Sequence, residues 1–172
     1  INSMAVIIIT VYLLRKNGYL KHVVSQEHFH IMGKLLFAFT VFWAYVTFSQ
    51  YFIIWNANLP EETFWYRLRE RGTWWWIGLV IIFGHFFIPF LALLRIDVKS
   101  KFTIMIPIVA WAWLMHFTDM TFQILPVHFK EGFPFAWIWL PLACMAFMGG
   151  LLAKQFLKKF ASAAPYPLKD PR

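Results

Sequence analysis

Residues 74–94 read WWWIGLVIIFGHFFIPFLALL, an unbroken run without Asp, Glu, Lys or Arg, bracketed by Arg71 and Arg95. A helix rising ~1.5 Å per residue needs ~20 such residues to cross the ~30 Å hydrocarbon core of a bilayer, so this stretch is long enough to span one. Lipid offers no hydrogen bonds, which leaves helices or closed barrels as spanning structures. A continuous apolar run without strict alternation excludes the barrel strand. Pro89 lies inside the run and is expected to kink the helix rather than end the span.

Residues 35–55, 102–122 and 135–156 repeat the pattern, with Pro107 and Pro141 as further kink positions. Composition agrees: 60% of the chain is hydrophobic, 21% is aromatic and only 14% is charged, against about 25% charged in a water-soluble domain. Residues 1–14 are apolar but too short to span. Arg15 and Lys16 follow this run instead of preceding it, which is the wrong order for a signal peptide. It reads as the end of a helix whose start is missing. The expected fold is all-α: a polytopic transmembrane helix bundle over residues 1–160, with four complete spans plus the end of a fifth at the N-terminus, the C-terminal part of a longer protein. An extended tail is expected over residues 161–172, where Pro165, Pro167 and Pro171 recur.

Positive charge sets the orientation. Arg15, Lys16, Lys21, Lys34, Arg95, Lys99, Lys101, Lys154, Lys158, Lys159, Lys169 and Arg172 fall on one side of the spans. Only Arg67, Arg69, Arg71 and Lys130 fall on the other, so the first side and the C-terminus are expected on the cytoplasmic side of an inner membrane. The net charge of +8 is spread through connectors and tail with no soluble domain to present it, which argues against nucleic acid as a partner and for membrane lipid. The single cysteine, Cys144, excludes a disulfide framework or a Cys-pair metal site within the chain. No metal is assigned here; a metal centre would need other ligands or a partner.

The outer connector, residues 56–73, mixes Glu61, Glu62, Arg67, Arg69 and Arg71 with Phe64 and Trp65, between Trp55 and Trp74. Two readings fit it, a short amphipathic surface helix and a docking surface for an extrinsic partner, and both can hold together.

Ionisable groups inside a span are costly and usually face a bundle interior or water. Asp119 follows His116 by three residues, on one helical face in the outer half of its span, with Thr118 and Gln123 nearby. An interfacial anchor is one reading; a proton relay or a quinol contact is the other. His85 is mid-span, with Gly78 and Pro89 on its face; it is either a neutral, hydrogen-bonded histidine or, if it meets His116 and Asp119, part of a titratable chain. Thr40, Trp43, Thr47 and Gln50 form a polar stripe on the first complete span, with Tyr45 and Ser49 beside it, fit to bind helices together or to carry protons with water. The proton-pathway candidates are therefore Gln50, Tyr45, His85, His116 and Asp119.

Reckoned from segment centres, His85 and His116 differ in depth by roughly 8 Å, which disfavours a shared haem. His22, His28 and His30 beside Glu27 resemble a metal cluster but read better as connector residues, and His128 has no identified partner. Ala146 with Gly150, and Gly149 with Ala153, allow close approach of another helix.

The run EHFHIMGK at residues 27–34 and the run FSQYFIIWNANLPEET at residues 48–63 resemble the NrfD-like integral membrane subunits of bacterial alternative complex III, a quinol:cytochrome c oxidoreductase. The likeness extends from about residue 20 through the fourth segment. It implies a respiratory electron-transport complex that oxidises quinol and passes electrons, through extrinsic iron–sulfur and c-type haem subunits, to a cytochrome c or copper protein. It implies no redox cofactor bound by this chain, quinone or quinol as the small molecule, another NrfD-like subunit as membrane partner, and a full subunit about twice this length. A purely structural scaffold in the same kind of complex, or a secondary transporter, are the competing expectations; a transporter would need discontinuous helices in matched halves.

Overall fold

The computed structural model describes residues 1–162, and every regular element among them is helical. Helical runs over Gln26–Ala57, Thr73–Leu94, Phe102–Val127 and Phe135–Ala161 are long and apolar enough to cross a membrane. Each contains one of the expected apolar stretches. The tail expected over residues 161–172 lies outside the described residues, apart from Ala161 and Ser162 at the end of the last helix.

Helix α1 (Asn2–Lys16) packs along α7 (Phe102–Ile124). Its 15 residues extend about 22 Å at ~1.5 Å each. Helix α2 (Gln26–Ala57) starts well before its apolar run at Leu35 because Ser25 and His28 cap it reciprocally. The Ser25 backbone N–H donates to His28 Nδ1 at 3.1 Å, so a histidine takes the place usually held by Glu or Gln. His28 and His30 thus lie on the first turns of a helix rather than in a connector. Asn58, at φ 50°, ends α2 in the left-handed conformation that Asn tolerates.

Pro60 then opens α3 (Pro60–Arg69), the short amphipathic helix of the outer connector. Glu61 and Glu62 stand in its first turn and Arg67 and Arg69 in its last, each matched to the nearer end of the helix dipole.

The next span is α4 (Thr73–Ile81), a π turn (Ile82–Phe87) and α5 (Ile88–Leu94) in continuous register. Pro89 fits the π turn. Its ring crowds the carbonyl four residues back in a normal turn, and it has no N–H to donate, although Pro107 is accommodated within α7 without such a turn. The Ile88 N–H bonds instead to the Phe83 carbonyl, five residues back. In that register the Gly84 carbonyl faces the nitrogen of Pro89, which has no hydrogen, and Trp111 Nε1 of α7 donates to it at 2.8 Å. The expected kink is therefore a widened turn repaired by a neighbouring helix.

After the one-turn α6 (Ile96–Ser100), α7 returns through the bundle and α8 (Trp139–Ala161) follows. The apolar core lies at the Lys- and Arg-rich end, where Ala5, Ile8, Phe29, Leu36, Leu93, Val98, Met105 and Val109 close on one another. No residue of α8 is buried, and among the described residues no other part of the fold lies within 4 Å of where a Cβ on Gly149 or Gly150 would stand. Tyr19 meets Phe160 edge-on at 5.8 Å near its end.

Candidate functional site

Opposite the apolar core, three helical segments bring polar groups together inside the bundle. The π turn delivers His85, which is 1% exposed, and α7 delivers His116 and Asp119, the latter 5% exposed. Gly84 eases close approach of the segments, since an added Cβ would stand 2.7 Å from Met115 Sδ, whereas one on Gly78 would make ordinary contact with Phe122. The rings of His85 and His116 meet edge to face with centroids 5.8 Å apart. One ligating atom from each of His85, His116 and Asp119 lies within 4.8 Å of the other two.

The third wall is Trp43 of α2. Its indole stacks on His85 with centroids 4.4 Å apart and 18° between planes, and its Nε1 donates to Asp119 Oδ2 at 3.2 Å. Gln123, one turn after Asp119, donates from Nε2 to Oδ1 at 3.4 Å. Both carboxylate oxygens thus have donors. By contrast, among the described residues His85 Nδ1 and Nε2 and His116 Nδ1 are buried with no protein hydrogen-bond partner, as are Asn2 Oδ1 and His30 Nδ1 elsewhere, an arrangement that costs free energy.

The 8 Å offset in depth expected between the two histidines does not hold: their rings are in contact. Counting from segment centres treats the helices as straight and level, whereas Pro89 and the π turn reset the register where His85 sits. Haem remains a poor fit for a different reason. Trp43 covers the face of His85 and Asp119 flanks both rings, where a porphyrin would extend. Two histidines and a carboxylate are also donors of the kind that hold a divalent cation, and small side-chain shifts would bring them to the spacing of about 3.4 Å set by tetrahedral zinc with bonds near ~2.1 Å. A span of 4.8 Å is one that a single water at ~2.8 Å from each group can bridge.

The remaining sequence candidates lie elsewhere. Gln50 and Tyr45 are exposed on α2, Tyr45 to 67%. Of the polar stripe, Trp43 reaches the site, and Thr40 is buried with its hydroxyl donating to the Leu36 carbonyl at 2.9 Å. Glu61, Glu62, Arg67 and Arg71 are exposed on and just beyond α3.

Arg69 is buried instead, 3% exposed. Its Nε donates to the Phe122 carbonyl at 3.1 Å, Nη2 to the Gln123 carbonyl at 2.6 Å and Nη1 to the Trp65 carbonyl at 2.8 Å, with the guanidinium 3.5 Å from the Trp65 ring centroid. It caps the C-terminal end of α7, a turn beyond Asp119, and is not available as a docking charge. Burial lowers it to about 10, while neighbouring Tyr66 pulls the other way; it remains a cation at neutral pH. Tyr66 is raised, by burial first and by Tyr51 second.

Trp43 and Gln123 reach the cluster from positions the sequence marked only as polar, and Arg69, expected among the docking charges, is a buried cap instead. The signal for Trp43 was its place in the stripe with Thr40; nothing in the linear pattern marked Arg69 as different from Arg67 and Arg71. No protein-family model matches this chain, and no curated protein matches it.

Proposed function

We propose that the chain is an integral membrane subunit of a quinol:electron-acceptor oxidoreductase of the alternative complex III type, multi-pass in a bacterial cytoplasmic membrane with its C-terminus inside. In this reading the His85–His116–Asp119 cluster carries protons released by quinol toward the outer face. The observation that carries it is the meeting of two histidines and a carboxylate within 4.8 Å in helices otherwise apolar enough to span a membrane. Imidazole ordinarily titrates near neutral pH, and ionisable groups gathered inside a bundle mark proton and ion paths more often than structural joints. Gln123 extends the cluster to the exposed end of α7.

The redox chemistry belongs to partners: extrinsic iron–sulfur and c-type haem subunits, docked on the exposed charges of α3, with another NrfD-like subunit beside this one in the membrane. The exposed length of α8 is consistent with such a neighbour.

The test is purification of the native complex in mild detergent, identification of its subunits by mass spectrometry, and quinol-driven acceptor reduction on the same fraction. Asp119→Asn keeps an oxygen for Trp43 and should assemble normally. Loss of a positioned proton carrier typically costs ~10²-fold or more, so turnover should fall at least that far. Unchanged turnover across pH in an assembled complex refutes the proton role and leaves a scaffold. A solitary protein without redox partners refutes the respiratory reading and favours a transporter.

A further inference from the structure

At the opposite end of the molecule, the turn between α1 and α2 forms an open depression of about 500 Å³ lined by Arg15, Lys21, His22, Val24, Ser25, Gln26 and Glu27. That volume lies within the ~300–1,000 Å³ of typical small-ligand sites. We propose that this depression holds the headgroup phosphate of an anionic phospholipid of the phosphatidylglycerol type.

Three observations converge. The wall carries two fixed cations, Arg15 and Lys21, against one carboxylate, Glu27, so its field favours an anion. Arg15 is held in place, its guanidinium carbon 4.4 Å from the centroid of Phe102. Phe102 begins a membrane-length apolar helix, so the cation sits at the edge of the hydrocarbon layer, where a lipid phosphate lies. A guanidinium fork matches two phosphate oxygens at once. Val24 adds an apolar side chain to the lining, and the site is open. A soluble anion has no use for that side chain or for a place at the edge of the hydrocarbon layer, whereas the glycerol backbone and acyl chains of a lipid would lie against both. Glu27 and Gln26 offer acceptors for headgroup hydroxyls.

The experiment uses the purified full-length protein, stripped of lipid and reloaded with phosphatidylglycerol or phosphatidylcholine, with retained lipid counted by native mass spectrometry. Phosphatidylglycerol should be retained preferentially. Lys21 is exposed, so Lys21→Gln should fold normally and weaken that retention about fivefold, the usual worth of one basic residue at an anionic lipid surface. Lys154→Gln on α8 should leave it unchanged. Equal losses in the two variants, or equal retention of the two lipids, overturns the proposal. So does displacement of bound phosphatidylglycerol by inorganic phosphate, which assigns the site to a soluble anion.

Discussion

Replacing Trp111 by Phe removes a single donor, the indole N–H that bonds to the Gly84 carbonyl at 2.8 Å. That carbonyl has no backbone alternative, because Ile88 N–H is committed to Phe83 and Pro89 carries no hydrogen. A buried carbonyl left unpaired costs ~1–3 kcal/mol, and side-chain hydrogen bonds between membrane helices average nearer ~0.6 kcal/mol with a maximum of ~1.7. The expected loss is therefore about 1–2 kcal/mol, roughly a five- to thirtyfold drop in the folded-to-unfolded ratio. Part of any measured loss comes from the smaller ring, so the decisive variant is Pro89→Ala, which supplies the missing N–H. In a double-mutant cycle the packing change is common to both backgrounds and cancels. Trp111→Phe should cost about 1 kcal/mol less in the Pro89→Ala protein than in the native one. Unfolding titrations with sodium dodecyl sulfate in mixed micelles measure both. Equal costs in the two backgrounds would refute the assignment of Trp111 as the donor that repairs the π turn.

Arg69→Met should destabilise the protein by about 2–4 kcal/mol, since it strips the carbonyls at the end of α7 of a charged donor, whereas Arg67→Met and Arg71→Met at exposed positions should change stability by no more than ~0.5 kcal/mol. Equal effects from all three would return Arg69 to the surface. Because Arg69 titrates at about 10 when folded and higher when unfolded, both states hold the proton below that value, and the cost of Arg69→Met should be flat from about pH 6 to about pH 9; above 10 the folded state sheds its proton first and this group's contribution rises with pH. Trp43→Phe keeps an aromatic ring on His85 but removes the donor to Asp119 Oδ2, so it should cost about 1 kcal/mol or less in stability while lowering quinol-driven turnover of the assembled complex. Normal turnover would show that the indole only packs.

The spans were legible because their signal is local. Apolar runs at residues 74–94 and 102–122 declare themselves by length and composition, and the structure extends the second to Val127 through a 3-10 turn, while the capping pair Ser25 and His28 starts α2 well ahead of Leu35. Within the site, His116 and Asp119 were readable as neighbours because three residues along one helix fix their separation. Their meeting with His85 was readable only as a possibility. Spacing within α7 says nothing about the rotation or depth of another helix, and the depth reckoning failed at the π turn. Gln50 illustrates the converse: a residue on a polar stripe is buried only where its helix packs, and here Trp43 makes that contact while Gln50, and Tyr45 on the neighbouring face, are exposed.

What the sequence determined by itself was an all-helical chain with membrane-length apolar segments, since in lipid the backbone must satisfy its own hydrogen bonds and a helix does so with local contacts alone. The tertiary structure decided everything that depends on which faces meet. It made one of three similar arginines a buried cap on α7, turned a proline kink into a π turn repaired by Trp111, and placed two histidines against a carboxylate. Those outcomes rest on helix rotation and depth, fixed by small residues such as Gly84 that set how near two helices come, and packing across separate segments is not written in any one of them.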